Sequence, residues 1–390
     1  MLKAAVIFEG SPFDRKGLFN AVHNRIIHLT ETGGCSIDAY CIHSWDTAFT
    51  RRIRQTPYIK DKQTHVTIDG IRYRMLWYDF SILDHVTVEK LHCRPLLFRR
   101  FIDRTVPMLE AYDVVIAHSF TGALIAYETF RRYGIPYHVT WHGSDVHTHP
   151  LRNRLIREDT RILMESASCN FFVSKALLRQ SEYLTVNAVK KVLYNGISKR
   201  FSRLSDNERK ELRSQYGLSP DDKVVAFVGS IVAVKNTRVL QPLFHAVRVG
   251  YDGLLKFWMV GDGKLRSKIE PLLEADDTLD IKFWGNVSAD EMPDVMNCID
   301  VMVLPSLNEG LPLVCAEAAK SGANVVGADV GGIREVIGSD YVVPHGDGFI
   351  SSMAAKVIEL LEERPVQYIP DEFDWKKTAG LEMAELIRTV

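Results

Sequence analysis

The stretch LNEGLPLVCAEAAKSG, residues 307–322, carries two glutamates eight positions apart. Glu309 comes just before a Gly-Leu-Pro turn, whereas Glu317 lies among small apolar residues that are typical of a buried helix. Pro312 suits the first turn of such a helix, which places Glu317 about one turn inside it. Because a buried carboxylate is costly without a partner, the sequence predicts a dedicated partner for Glu317.

The start of this helix is a predicted anion site. The backbone amides of residues 310–314 lie at the positive end of the helix, where phosphate is the usual ligand. Two carboxylates beside a phosphate would repel it, so neutral hydroxyl groups are better ligands for Glu309 and Glu317. A nucleotide-sugar offers phosphate to the amides, ribose hydroxyls to Glu317 and sugar hydroxyls to Glu309. The alternative is that Glu317 pairs with a structural lysine.

Length and composition indicate a soluble protein of two domains. The chain has 390 residues, of which 46% are hydrophobic and 25% are charged. The first apolar run, residues 4–8, is too short for a signal peptide or a membrane span, and no later run reaches the roughly 18 residues of a spanning helix. The six cysteines are scattered without a CxxC pair, which favours a reduced cytosolic protein over disulfides or a zinc site.

The net charge of −1 hides a strong asymmetry. Residues 1–200 carry 28 basic against 19 acidic side chains, a net charge of +9, and the rest of the chain carries −10. Eleven of the 13 histidines also lie in the first half. A basic first half suits an anionic surface or acceptor, and the alternative is an ordinary solvated surface.

Short β-branched runs alternate with amphipathic helical patterns, which predicts an α/β protein with two parallel sheets. A β-hairpin is predicted over 67–76 with Asp69-Gly70 as its turn, and a linker over 195–204. The predicted strands cover residues 4–8, 36–42, 113–118, 137–142, 170–174 and 191–195 in the first half, and 223–230, 256–261, 281–285, 300–306, 324–328 and 341–344 in the second.

Glycines cluster where strands of the second half end. In open α/β sheets the ligand lies beyond the carboxyl ends of the strands. Glycines at five successive strand ends therefore predict a backbone that closely approaches a ligand. These glycines are Gly229, Gly261, Gly263, Gly285, Gly310, Gly331 and Gly332.

With Glu309 and Glu317 the chain reproduces an E-x7-E signature, and in this it resembles the retaining glycosyltransferases of family 4, the group 1 glycosyl transferases. The resemblance covers nearly the whole chain, is strongest over 223–345 and is weak over 43–110. Further segments that carry it are VVAFVGSIVAVKN with Lys235, KFWMVGDGKLR, IKFWGNV before Asn286 and Val287, NVVGADVGGIREVI, VVPHGD, DVVIAH with His118, WHGSD with His142, FVSKA…LYNGI and FDWKK.

This resemblance implies the GT-B fold, in which two Rossmann-like domains with parallel sheets face a central cleft. The expected N-terminal, acceptor-side domain covers residues 1–197 plus about 374–390. The expected nucleotide-sugar-binding domain covers residues 198–373. The last helix is expected to cross back to the first domain.

The resemblance also implies roles for individual residues. Glu317 would bind the ribose hydroxyls, Glu309 the donor sugar hydroxyls, and Lys235 the diphosphate leaving group. His142 would contact the sugar from the acceptor-side domain. The candidate catalytic residues are His142, Glu309 and Lys235, and the candidate donor-binding residues are Gly17, Ser230, Lys235, Val287, Glu309, Gly310, Leu311, Pro312, Leu313, Val314 and Glu317, with Lys16, His118 and Asn286 as further candidates and no metal ligand.

Ser230 departs from the family pattern, since relatives carry arginine directly after the glycine of this strand end. A hydroxyl brings no charge, and a charge-assisted hydrogen bond is roughly twice as strong as a neutral one. Either Lys235 then holds the leaving group almost alone with the helix amides, or Lys16 or Arg15 reaches it from the first domain.

The implied activity is a retaining, metal-independent transfer from a UDP- or GDP-type nucleotide-diphosphate sugar, without a cofactor. The expected acceptor is a glycan, a lipid-linked or a small molecule in cell-surface polysaccharide or glycoconjugate synthesis, and no nucleic acid is expected. A cytoplasmic protein is expected, with peripheral membrane contact through the basic first domain. RPLLFRRFIDR (94–104) is a candidate for that contact, against an ordinary helix that packs on the core.

Three other functions compete with this interpretation. A dinucleotide oxidoreductase lacks support, because GDGKLR has arginine where the third glycine of G-x-G-x-x-G belongs. An inactive homologue would bind a nucleotide-sugar without transferring it. A non-hydrolysing sugar-nucleotide epimerase would convert a nucleotide-sugar without an acceptor.

Overall fold

The computed structural model describes residues 1–13, 17–54, 58–89, 98–363 and 367–390. The chain divides into two compact units, Met1–Gly196 with Asp374–Val390, and Ile197–Phe373. Lys16 and Arg15, together with residues 94–97 of the basic amphipathic segment, lie outside the described residues.

An eight-stranded sheet forms the centre of the first unit, with the strand order β3-β4-β2-β1-β5-β6-β7-β8. All neighbouring strands are parallel except β3 and β4, which form the predicted hairpin. Asp69 and Gly70 at its turn have φ angles of 47° and 79°, as a two-residue turn of this kind requires. The strands are β1 (Leu2–Glu9), β2 (Cys35–Asp46), β3 (His65–Ile68), β4 (Ile71–Phe80), β5 (Val114–His118), β6 (Tyr137–Trp141), β7 (Cys169–Phe172) and β8 (Lys190–Val192).

Helices cover the faces of this sheet. The first helix buries Phe19, Val22, Ile26 and Leu29, a spacing of three and four residues that places these side chains on one face toward the sheet. The helices are α1 (Gly17–Glu31), α2 (Ala48–Arg54), α3 (Ile82–Glu89), α4 (Phe98–Thr105), α5 (Ser119–Tyr133), α6 (Ser144–His147), α7 (His149–Arg152), α8 (Arg154–Ser166) and α9 (Lys175–Gln180).

The second unit has a six-stranded parallel sheet in the order β11-β10-β9-β12-β13-β14. Its central strands are fully buried, which explains their uninterrupted apolar sequences. The strands are β9 (Lys223–Val228), β10 (Leu255–Val260), β11 (Ile281–Gly285), β12 (Val301–Leu304), β13 (Asn324–Ala328) and β14 (Val342–Val343). The helices are α10 (Asp206–Gln215), α11 (Leu240–Gly250), α12 (Arg266–Glu274), α13 (Met292–Cys298), α14 (Leu313–Lys320), α15 (Ile333–Ile337) and α16 (Phe349–Glu363).

The last helix, α17 (Trp375–Thr389), belongs to the first unit, where it packs against α1. Asp374 caps its start by accepting hydrogen bonds from the amides of Lys376 (2.8 Å) and Lys377 (3.0 Å). A Cβ atom on Gly196 would lie 2.3 Å from the backbone nitrogen of Trp375, so only glycine fits this close approach. The expected return of the last helix to the first domain is confirmed.

The described part of the basic amphipathic segment is an ordinary packed helix. In α4 the apolar side chains Phe98, Phe101 and Ile102 are buried, while Arg99 and Arg100 are exposed. The apolar side of α4 therefore packs on its own unit and does not form a face for insertion into lipid. Among the residues that the structure describes, no helix is both long and apolar enough to span a membrane.

Candidate functional site

The loop between β12 and α14 carries Glu309 at the carboxyl edge of the second sheet. Three contacts fix this loop. The amide of Leu307 donates to the carbonyl of Val234 (2.8 Å), and His345 Nε2 lies 2.9 Å from the carbonyl oxygen of Ser306. A Cβ atom on Gly331, which has a φ of +53°, would lie only 1.8 Å from the carbonyl oxygen of Glu309. Segments that are distant in sequence thus hold Glu309 in place.

Lys235 and Glu309 form an ion pair. Lys235 Nζ donates to Glu309 Oε1 over 2.6 Å, and Ser306 Oγ donates to the same oxygen over 2.6 Å. The side chains are 18% and 11% exposed, so this pair is largely shielded from water. The second oxygen, Oε2, accepts no hydrogen bond from any residue in the described ranges. The structure therefore brings two candidate residues together and leaves one carboxylate oxygen free for a ligand.

Glu317 has a different environment. It is the fifth residue of α14 and is partly buried, and its carboxylate has no hydrogen bond or ion pair with another described residue. Burial raises the pKa of Glu317 to about 7, with an opposing influence from the charge of Arg200. The alternative of a structural lysine partner for Glu317 finds no support within the described part of the chain. Lys235, the lysine of this site, pairs with Glu309 and not with Glu317.

The start of α14 offers fewer amides than the sequence predicts. Helix α14 begins at Leu313, directly after Pro312. The amide of Leu313 donates to the carbonyl of Leu311 (3.0 Å), and proline has no amide hydrogen. The amides of Gly310, Leu311 and Val314 donate to no described residue. Three amides at a positive helix end are thus available to an anion.

The other candidate residues of the second unit lie at the same edge of the sheet. Ser230 is exposed and follows Gly229 at the end of β9. Asn286 is exposed and Val287 is half-buried, just after β11. The parallel strands place these residues and Glu309 beyond the carboxyl ends of the sheet, where ligands of open α/β sheets bind.

Three of the glycines at the strand ends lie close to the backbone of neighbouring loops. A Cβ atom on Gly261 would lie 2.1 Å from the carbonyl oxygen of Gly229, and one on Gly263 would lie 2.4 Å from that of Ile231. Together with Gly331 against Glu309, these glycines let neighbouring loops pack backbone against backbone. The expected close approach of the strand-end glycines to a ligand stays a prediction.

In the first unit, His118 and His142 form a hydrogen-bonded pair. His118 Nδ1 lies 3.0 Å from His142 Nε2, with His118 buried and His142 half-buried. Burial and the charge of Arg25 lower the pKa of His142 to about 3, and burial, His142 and Arg25 lower that of His118 well below its usual value. Both rings are therefore neutral at pH 7. Gly17 is the exposed first residue of α1, and a Cβ atom there would contact nothing within 4 Å.

The sequence interpretation missed several residues. Ser306 holds Glu309, and Asn308 has a buried Oδ1 without a hydrogen-bond partner in the described structure. Arg25 is buried beside Glu382 (3.5 Å) and donates to Thr140 Oγ1 (2.6 Å), two residues before His142. Arg25 lies three residues after Val22 on the apolar face of α1. A charged residue on an apolar face is the only sequence signal that could have identified it.

The described residues contain no group of three or more histidine, cysteine, aspartate or glutamate side chains that could hold a metal ion.

Two family models match the chain. Residues 222–363 match the description "Glycosyl transferases group 1", and residues 47–196 match "Glycosyl transferase 4-like domain". The teichuronic acid biosynthesis glycosyltransferase TuaC of Bacillus subtilis, a putative assignment by its own name, is 30% identical over 340 residues, which are 85% of this chain and 81% of TuaC. The 2-deoxystreptamine glucosyltransferase of Streptomyces kanamyceticus is 28% identical over 287 residues, 67% of this chain and 72% of that enzyme.

Solved structures share the fold. Anabaena HepE, in complex with UDP and glucose, has a TM-score of 0.69 at 16% identity and covers 100% of both chains. Sucrose-phosphate synthase from Thermosynechococcus elongatus has a TM-score of 0.71 at 17% identity, over 99% of this chain and 94% of that one. Both resemble the two parallel-sheet units described above. The chain belongs to the group 1 glycosyl transferases, and it is a nucleotide-sugar-dependent glycosyltransferase with the GT-B fold.

Proposed function

We propose that this glycosyltransferase moves a sugar from a UDP- or GDP-type nucleotide-diphosphate sugar to a glycan, lipid-linked or small-molecule acceptor, with retention of configuration and without a metal ion. The observation that carries the proposal is the Lys235–Glu309 pair beside three free amides and the unpartnered Glu317. The name of TuaC, which refers to teichuronic acid, and the UDP and glucose bound to HepE support polysaccharide synthesis from a nucleotide-sugar.

In the proposed complex each polar part of the donor has its own partner in the protein. The diphosphate competes with Glu309 for Lys235 and accepts hydrogen bonds from the amides of Gly310, Leu311 and Val314. The sugar hydroxyls donate to Glu309 Oε2, and the ribose hydroxyls donate to Glu317. Groups fixed in advance around developing negative charge stabilise a leaving group strongly, because they need no rearrangement during the reaction.

Retention is proposed to follow a front-face route. The bond from the anomeric carbon to the phosphate oxygen breaks, the acceptor oxygen bonds to the same face of that carbon, and the acceptor proton passes to the departing phosphate. The proposal uses no covalent intermediate on Glu309, whose Oε1 accepts hydrogen bonds from Lys235 and Ser306. Its role in the proposal is to bind sugar hydroxyls.

The neutral His118–His142 pair is proposed to bind a hydroxyl of the sugar substrate. A neutral imidazole donates through one nitrogen and accepts through the other, so His118 fixes which proton His142 offers. Imidazolium chemistry is not part of this proposal, since the pKa of His142 is lowered to about 3.

The experiment that tests the proposed function is a panel of UDP- and GDP-sugars with candidate acceptors, with EDTA present. We expect one donor to release its nucleoside diphosphate only when an acceptor is present, and the product to keep the anomeric configuration of the donor by NMR. A product of opposite configuration, or activity that EDTA abolishes, would contradict the proposal. Conversion of the donor without an acceptor would indicate an epimerase. Binding of the donor without turnover would indicate an inactive homologue. Neither alternative gains support from the matched proteins.

Glu317 gives a prediction of pH dependence. Donor hydroxyls stabilise the ionised carboxylate, so donor binding lowers its pKa from about 7 and donor affinity rises with pH up to about 7, then levels off. Isothermal titration from pH 5 to 8.5 measures this rise. In Glu317→Gln we expect affinity that is about tenfold lower at pH 8, in line with the 1.5–3 kcal/mol of hydrogen bonds to charged groups, and independent of pH.

The effect of Glu317→Gln on folding stability is opposite to its effect on donor affinity, because the variant is expected to be more stable. Because the folded-state pKa of Glu317 is raised above its usual 4.5, ionisation costs folding free energy as pH rises from 4.5 through about 7. Glu317→Gln removes this cost, which is on the order of 3 kcal/mol, since the pKa rises from 4.5 to about 7 and each pKa unit corresponds to 1.36 kcal/mol. Urea unfolding at pH 5 and pH 8 should therefore show a much larger gain at pH 8 than at pH 5. A loss of stability at both pH values would mean that Glu317 has a structural partner.

Peripheral contact with the inner face of a membrane is proposed to rest on charge alone. Arg99 and Arg100 are exposed on α4, whereas its apolar residues are buried. Such binding needs anionic lipid and disappears with salt, which vesicle sedimentation at two ionic strengths measures.

A further inference from the structure

A cavity of about 720 Å³ opens at the edge of the second sheet opposite Glu309. Asp300, just before β12, and Asn324, the first residue of β13, form its floor, whereas Glu309 follows the other end of β12. Its walls come from α10 and the turn after it, the last turn of α14, and α16. The volume is in the range of sites that bind small molecules, roughly 300–1,000 Å³.

The cavity is positively charged within an acidic half of the chain. Five basic side chains line it against two acidic ones, Asp206 and Asp300, which gives a net charge of +3. Residues 201–390 as a whole carry −10, so the positive cavity does not reflect the general composition of this half. The basic residues are Arg203, Arg209, Lys210, Arg213 and Lys320.

Two arginines fix the cavity and neutralise Asp300. Arg209 donates to Asp300 Oδ1 (3.0 Å) and to the carbonyl of Asn297 (2.8 Å). Arg213 donates to Asp300 Oδ2 (3.1 Å) and to the carbonyl of Asp222 (2.5 Å). By contrast, Lys210 and Lys320 are exposed and have no carboxylate within ion-pair distance among the described residues. Their charges are available to a ligand.

Asn324 provides independent evidence of a ligand. Its side chain is only 6% exposed, and its Oδ1 is buried without a hydrogen-bond partner. Nor does its Nδ2 donate to any residue that the structure describes. A buried polar group without a partner costs about 1–3 kcal/mol, and the amide can turn so that its nitrogen donates into the cavity. This amide points to a hydrogen-bonding ligand.

The end of α14 does not oppose an anion there. The carbonyls of Glu317, Ala318 and Ala319 accept hydrogen bonds from the amides of the following turn, Ser321–Ala323, all at 3.1 Å. The partial negative charge of this helix end is thus largely satisfied within the protein.

We propose that this cavity binds a small phosphate monoester such as a hexose phosphate. Lys210 and Lys320 would contact the phosphate, and Asn324 together with Ser214 and Ser219, which also line the cavity, would hydrogen-bond the rest of the molecule. This proposal does not depend on which donor or acceptor the enzyme uses.

Isothermal titration of the full chain with glucose 6-phosphate at low salt tests the proposal, with glucose and inorganic phosphate as comparison probes. We expect one site per chain, no binding of glucose, and affinity at least tenfold weaker in the double variant Lys210→Gln/Lys320→Gln. The matched control is Lys199→Gln/Lys268→Gln, which removes the same charge from exposed lysines of the same unit outside the cavity. Both variants change exposed or half-exposed lysines, and unfolding curves check that they fold.

A third variant separates this cavity from the donor site. Lys235→Ala should bind glucose 6-phosphate as the unmodified protein does. The proposal is overturned if Lys235→Ala abolishes binding of glucose 6-phosphate while Lys210→Gln/Lys320→Gln leaves it intact, because the phosphate then binds at the donor site. It is also overturned if neither glucose 6-phosphate nor inorganic phosphate binds. Vesicles with and without phosphatidic acid show whether a lipid carries the phosphate monoester; vesicle binding that requires both lysines would still support the site.

Discussion

Lys235→Ala is expected to lower kcat/KM by about 100-fold or more, the scale on which removal of one electrostatic stabiliser acts. In the proposed complex Lys235 is the main side-chain cation at the diphosphate, because Ser230 brings a hydroxyl where the resemblance to the family implies an arginine. Steady-state kinetics with the donor that the panel of UDP- and GDP-sugars identifies measures the loss. Lys268→Ala, an exposed lysine in the same unit, is the matched control and should retain activity.

The contacts of Lys235 suggest that its loss has a second effect. Glu309 is 11% exposed, and without Lys235 its Oε1 keeps only the hydrogen bond from Ser306. Glu309 then has one contact fewer to hold its carboxylate in position, so the loss of Lys235 also weakens the contribution of Glu309. The measured loss in kcat/KM for Lys235→Ala should therefore include part of the contribution of Glu309.

A compensating change can show that the charge itself matters. Ser230 is exposed at the end of β9, on the same edge of the sheet as Lys235, and Ser230→Arg should be tolerated or tighten donor binding. In the background of Lys235→Ala, the added arginine should recover part of kcat/KM. Near-normal turnover of Lys235→Ala would mean that the diphosphate is held elsewhere, and the proposed position of the donor would be wrong.

The sequence predicts the fold well because each strand is a short, separate apolar run. Each predicted strand has an observed counterpart, although β2 and the hairpin are longer, and β8, β12 and β14 shorter, than predicted. The hairpin turn was predictable from Asp69-Gly70 alone, since few other pairs adopt two positive φ angles.

Contacts between distant segments could not be predicted in this way. Lys235 and Glu309 are 74 residues apart, and their pairing depends on two loops that meet only when β9 and β12 lie side by side. Each motif taken alone predicts that its residue binds a ligand, and neither predicts the ion pair between Lys235 and Glu309. The same limit applies to Gly261 and Gly263, whose close contacts with backbone atoms of a neighbouring loop are not visible in the sequence.

Glu309→Ala is expected to reduce kcat about 10- to 100-fold with a smaller effect on donor affinity. A hydrogen bond to a charged group contributes about 1.5–3 kcal/mol, and the bond from the reacting sugar to Glu309 strengthens as the transition state forms. The substitution also releases Lys235 from its ion pair, which favours binding of the diphosphate. Single-turnover kinetics and donor titration separate the two quantities, and a change in KM alone would contradict this role.

The ion pair makes a further prediction about the double variant Lys235→Ala/Glu309→Ala. Lys235→Ala also removes a contact that holds Glu309, so its loss already includes part of the contribution of Glu309, which is then counted twice when the two single losses are multiplied. The loss in kcat/KM for the double variant should therefore be smaller than the product of the two single losses, by tenfold or more. Losses that simply multiply would mean that the 2.6 Å contact between Lys235 and Glu309 is absent in the working enzyme, and that the two residues act on the donor independently.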